Sequence, residues 1–208
     1  KTYAINEGEY SDTDDDTDRD NWISEYMGIT NYSIQDNSGG GDCLFIAVRD
    51  AFECINKIIT VAEMRKKISD STTKEVYNNY KELYNSFVKS IKDNSERMDE
   101  IKLNNEILQN KIKDEEDREE KRKILKDGKE CLGMFNKYKS QNELTLNMLN
   151  EYVFMSDVNS LDGFKNAILK QTFWADTWAI STLEEKLNIK IVVLSSENFM
   201  NGDIDNVL

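Results

Sequence analysis

The sequence predicts an α/β (α+β) fold, a small central sheet flanked by helices, with a helical arm inserted into it. Three observations carry that expectation. Ile189, Ile191, Val192, Val193 and Leu194 form a dense, largely β-branched run with the composition of a strand buried on both faces. Upstream segments repeat their apolar residues at helical spacing, as Leu44, Phe45, Ala47, Val48, Ala51, Phe52 and Ile55 do. Between the two, Ile91, Asn94, Met98, Ile101, Asn105, Leu108 and Ile112 alternate steps of three and four, a heptad seam with polar interruptions.

Taken in order, residues 1–20 are rich in Asp and Glu and poor in aliphatic side chains, so they are expected to form a disordered acidic tail before a folded domain over 21–208. Trp22, Ile23, Tyr26, Met27 and Ile29 then cluster at mostly helical spacing. They read as a short helix that either packs on the domain or forms a lid near a groove. The run Gly39-Gly40-Gly41-Asp42-Cys43-Leu44-Phe45 seats a thiol where a flexible loop turns into an apolar helix. Unpaired N–H groups and the positive dipole end of that first turn favour a thiolate, so the Cys43 pKa is expected to be lowered. The glycines, free to take positive φ, can turn successive amides toward one point, as an oxyanion hole requires. The bland alternative is a small buried core residue, and Cys54, on the same helix, is read that way. Cys131 lies in a charged stretch without ligand-like neighbours.

Thr60-x-x-Glu63 and Thr72-x-x-Glu75 have the capping-box form and predict two helix starts. The first leads into Val61, Met64, Arg65 and Ile68, and the second into Val76, Tyr77, Tyr80, Leu83, Tyr84, Phe87, Val88 and Ile91. The heptad seam, the charged run Lys113 to Lys123 and a return helix around Ile124 to Tyr138 predict an inserted arm at about 92–140, with Gly128 and Gly133 as weak points. It is expected either to pack on itself or to dock another protein. Helices over Leu144 to Met155, Ser160 to Gln171 and Trp174 to Leu187 follow, and then the strand.

The composition excludes several classes of function. With 27 basic against 40 acidic residues, a formal net charge of −13, the chain is not expected to bind nucleic acid or anionic membrane; a basic partner suits it better. No apolar run is long enough to span a bilayer, and three irregularly spaced cysteines point to a reducing, cytoplasmic setting. No metal or other cofactor is implied: there is no histidine, and the cysteines lack ligand spacing. The absence of proline, with abundant Asn, Lys, Ile and Glu, is a mark of AT-biased genomes such as those of large DNA viruses or protists.

The string Gly39 to Phe45, followed by Ile46-Ala47-Val48, resembles the D-G-[ND]-C-[LF]-[FY]-x-[AS] signature of the ovarian-tumour (OTU) family of cysteine proteases. Val61 to Ile68 is similar to the family's V-x-x-L-R helix, and Thr73 to Tyr84 to the helix after it. Phe173 to Leu183 is similar to its W-G-[DG]-x-x-x-[LI]-x-[AS]-L segment, most of all as found in large DNA viruses, and Ile189 to Ser195 to the strand that follows. The resemblance runs from about Ile34 to Ser195 and leaves out the arm.

It implies a papain-like fold and a deubiquitinase whose partner is ubiquitin or polyubiquitin, working in the cytoplasm, or for a viral protein in the host cytoplasm or virion. Cys43 is then the nucleophile attacking the carbonyl after the ubiquitin C-terminal glycine. The backbone amides of Gly40, Gly41, Asp42 and Cys43 are the oxyanion hole, and Trp174 either borders the substrate groove or belongs to the core. Asp42 is expected to shape the loop rather than to orient a base. The family's general base is a histidine on a strand beyond the part matching Ile189 to Ser195, so the sequence is read as stopping short of it. The alternative is a non-catalytic ubiquitin-binding or scaffold protein.

Overall fold

The computed structural model describes residues 21–28, 35–37 and 40–208. The acidic tail at 1–20, Ile29 and Gly39 therefore lie outside the described residues. Eight α-helices make up most of the rest: α1 (Asn21–Met27), α2 (Cys43–Cys54), α3 (Val61–Ser71), α4 (Lys74–Asp114), α5 (Arg118–Glu151), α6 (Leu161–Ile168), α7 (Thr177–Leu187) and α8 (Ser196–Met200). The chain divides into two compact units, one of Gly39–Asn188 and one of Lys1–Ser38 with Ile189–Leu208.

The predicted sheet is not formed, and the α/β class is corrected to all-helical among the described residues. The run from Ile189 to Leu194 has no strand ladder, and Val192 and Val193 are 61% and 60% exposed where burial on both faces was expected. A β-branched run favours extended backbone, but a strand exists only when a neighbour accepts its N–H groups and donates to its carbonyls. At the end of this segment Ser195 donates its amide to the Val207 carbonyl at 2.8 Å. In the same unit α1 lays Trp22 and Tyr26 against Phe199 of α8, with ring centroids 5.5 and 6.3 Å apart. The N-terminal aromatic cluster thus packs its rings.

In the larger unit, α3 is the central element, packing on α2, α6 and α7. Met64 and Ile68 of α3, Phe45 of α2, Phe164 and Ile168 of α6, and Ala179 and Leu183 of α7 are wholly buried, together with Met155 and Phe173. Only part of the apolar face of α2 is covered: Phe45 and Val48 are buried, while Ala47, Ala51 and Ile55 are exposed. Cys54 is exposed too, which corrects its reading as a packing residue.

The start of α3 follows from its capping box. The Thr60 hydroxyl accepts from the Glu63 amide at 3.1 Å, and the Glu63 carboxylate accepts from the Thr60 amide at 2.8 Å. The Thr60 backbone amide, and after it the Thr60 hydroxyl, hold the Glu63 carboxyl below the usual carboxylate range. Thr60→Ala is expected to cost about 1 kcal/mol in urea unfolding. Because the Glu63 value is lowered on folding, the Glu63 half of the cap is present at neutral pH and fades as the pH falls through that lowered value. The second cap is displaced by one residue. Thr73, not Thr72, accepts from the Val76 amide, while Thr72 closes α3 by donating its hydroxyl to the Ile68 carbonyl at 3.1 Å.

The arm is a hairpin of two uninterrupted helices. α4 runs 41 residues, about 60 Å at 1.5 Å per residue, and turns back at Glu115–Asp117 into the 34 residues of α5. At the turn, Asp117 caps α5 by accepting from the Glu119 and Glu120 amides. Neither helix breaks at 92 or 140, so the arm continues helices that begin and end in the core. Gly128 and Gly133 stay helical, and Gly128 lies opposite Asn105. All seven seam positions of α4 are sheltered, and Ile124, Gly128, Cys131, Phe135, Tyr138, Asn142, Thr145 and Leu149 are their counterparts on α5. Cys131 is thus a seam residue.

Candidate active site

Cys43 follows a glycine turn. Gly40, Gly41 and Asp42 form a single 3₁₀ turn, and Cys43 is the first residue of α2, half-buried. Gly40 has φ +74°, a left-handed conformation that glycine adopts without penalty. Asp42 occupies the N-cap position of α2, yet its side chain makes no cap bond. Its carboxylate is turned instead to a guanidinium.

That guanidinium belongs to Arg65 of α3, whose side chain is 3% exposed. Arg65 Nε and Nη2 both donate to Asp42 Oδ1, at 2.9 and 2.7 Å. Nη2 also reaches the Gly41 carbonyl at 2.8 Å, and Nη1 the Ile168 carbonyl at 2.8 Å. Both terminal nitrogens lie 3.2 Å from the Phe173 carbonyl. The Phe45 ring lies beneath, 4.4 Å from the guanidinium carbon. One buried cation thus holds the glycine turn, the end of α6 and the segment leading to Trp174, and its planar fork meets carbonyls and carboxylate together.

Gly41 completes the junction. A Cβ there would stand 1.7 Å from the Gln171 carbonyl oxygen, so the turn before Cys43 lies directly on the backbone of the α6–α7 connection. The glycines invoked for an oxyanion hole therefore have a packing reason as well: Gly40 permits the turn, and Gly41 permits the approach. The amides of Gly40, Gly41, Asp42 and Cys43 follow one another around this turn.

Trp174 comes directly after the Phe173 carbonyl held by Arg65. Phe173 is fully buried, whereas Trp174 is 58% exposed and stands at the edge of a cleft of about 600 Å³. Helix α7 was expected to begin at Trp174 but begins at Thr177, because the Asp176 carboxylate caps it by accepting from the Ala179 amide at 3.0 Å. Trp174 is consequently a loop residue. Cys43 does not line the cleft that Trp174 borders.

The residue that sequence reasoning missed is Arg65, which was read only as part of a helical stripe. A charge on the same stripe as Val61, Met64 and Ile68 was the available signal. The sequence contains no histidine, and among the described residues no group of three or more Cys, Asp or Glu side chains is arranged to hold a metal ion. No described helix is long and apolar enough to cross a membrane. Comparison of the sequence with protein-family models, and of the chain with curated proteins and solved structures, gives no significant match.

Proposed function

We propose that Cys43 is the nucleophile of an OTU-like cysteine protease acting on ubiquitin conjugates, carried on a helical scaffold. One observation supports this reading above the others. Arg65 links the glycine turn before Cys43 to the segment before Trp174, so three separated stretches with a resemblance to the same protease family are joined by one side chain. A core cysteine needs no such fixture; a half-exposed thiol that must meet a carbonyl in one orientation gains from it. In the reaction, the Cys43 thiolate adds to the carbonyl carbon after the ubiquitin C-terminal glycine, the C–N bond breaks, and the lysine amine leaves with a proton. Water then releases ubiquitin from the thioester. In this reading the amides of Gly40, Gly41, Asp42 and Cys43 bind the developing oxyanion. The resemblance implies that a histidine on a strand beyond the part matching Ile189 to Ser195 takes the thiol proton and returns it to the leaving amine; residues 1–208 contain none.

Ubiquitin bearing a C-terminal electrophile tests the assignment. The adduct is expected on Cys43, faster than with the same electrophile lacking ubiquitin, and absent from Cys43→Ala by intact mass. An adduct on the exposed Cys54, or equal rates with and without ubiquitin, refutes it. The second reading is a ubiquitin-binding protein without turnover. In that case ubiquitin binds wild type and Cys43→Ala alike, and no adduct forms.

A further inference from the structure

We propose that the cleft bordered by Trp174 binds an organic cation, the guanidinium or ammonium of a side chain in a basic peptide. The cleft lies wholly within the Gly39–Asn188 unit and encloses about 600 Å³, within the size range of sites for small ligands or single long side chains. Four of its lining residues are aromatic: Tyr80, Tyr152, Phe154 and Trp174. Two are acidic, Glu151 and Asp176, and none is Lys or Arg.

The geometry sorts these groups into roles. Tyr152 and Phe154, both half-buried, lie at 28° to one another in the wall of the cleft, with centroids 6.3 Å apart. Tyr80, 7% exposed, packs against both, with centroids 6.1 and 6.2 Å away, and donates its hydroxyl to Asp176. The indole of Trp174 stands exposed on a neighbouring wall. Ring faces attract cations through their quadrupole, and the methylene stem of Lys or Arg lies well along them. The Asp176 oxygens accept one bond each, from Ala179 and Tyr80, which leaves lone pairs for a further donor.

The electrostatics agree. Burial first, then the charges of Asp176 and Glu151, push the Tyr152 phenol up; burial and the Asp176 hydrogen bond push the Tyr80 phenol up strongly. The site therefore resists added negative charge. A neutral apolar occupant would strip water from two carboxylates and return nothing, and an anion would meet both. The overall charge of −13 draws the same class of partner. None of this depends on Cys43, which does not line the cleft.

The full-length Cys43→Ala chain, titrated by calorimetry, keeps the test separate from thiol chemistry. The probe is acetyl-Ala-Arg-Ala-Ala-amide, compared with the same peptide carrying citrulline, which keeps the shape and loses the charge. The arginine peptide is expected to bind at least about tenfold more tightly, and more weakly as salt is raised. Trp174→Ala is expected to weaken it about five- to tenfold and Glu151→Gln about threefold, both being exposed side chains whose replacement leaves the fold's circular dichroism unchanged. Equal binding of the citrulline peptide, an unchanged affinity in Trp174→Ala, or no binding of the arginine peptide at millimolar concentration overturns the proposal. Methylguanidinium alone binding as tightly as the peptide overturns the peptide as source.

Discussion

Arg65→Ala is expected to destabilise the unit that carries Cys43 by about 3–5 kcal/mol, the usual cost of removing one partner from a buried ion pair. The expectation rests on what the substitution strands. Asp42, 25% exposed at its side chain, loses its cation, and the carbonyls of Gly41, Ile168 and Phe173 lose donors in a region that water reaches poorly. The space under the Phe45 ring is left unfilled as well. Arg65→Lys recovers little, because a single ammonium cannot reach a carboxylate and three carbonyls arranged around a planar fork. Asp42→Asn, which keeps the shape, is expected to fall between wild type and Arg65→Ala, and the double variant to be less than additive. Urea unfolding of the four proteins decides it. A cost below about 1 kcal/mol for Arg65→Ala would show that the guanidinium is solvated in solution and does not hold the loop. A matching loss of Cys43 labelling by the ubiquitin electrophile is expected, since the turn before the thiol is then untied.

How much of this was legible depends on the distance over which each feature is determined. The heptad seam was read residue by residue because its signal repeats every three or four positions along one helix, and from Ile91 to the end of α4 the sheltered residues are those seven. Thr60 announced its cap for the same reason: donor and acceptor lie three residues apart. The sheet was misread because a β-branched run states only half of a pairing, and its partner cannot be inferred from the run itself. The arm continues core helices without a break, since two glycines cost about 1 kcal/mol each against a long run of good helix formers. The role of Arg65 was out of reach: its carbonyl acceptors at Ile168 and Phe173 are 103 and 108 residues away. Cys43 was singled out by its local glycines, while the reason the turn is rigid lies in α3 and the α6–α7 connection.

Gly41→Ala gives the sharpest test of that rigidity. A methyl at this position would lie 1.7 Å from the Gln171 carbonyl oxygen and 2.9 Å from its carbonyl carbon. Both atoms are backbone, so no rotamer change can relieve the overlap, and the glycine turn must separate from the α6–α7 connection. That separation pulls the Gly41 carbonyl and the Asp42 carboxylate away from Arg65. A loss of about 3 kcal/mol, at the upper end for an overpacked site, is expected in urea unfolding. Gly40→Ala is the control with a different physics. Alanine at position 40 would take on a left-handed φ of +74°, at about 1–2 kcal/mol, but its methyl would meet only the flexible Gln171 side-chain nitrogen at 3.4 Å. The order Gly41→Ala worse than Gly40→Ala is therefore the prediction. The reverse order would mean that backbone conformation, and not close approach to Gln171, is why glycine stands before Cys43.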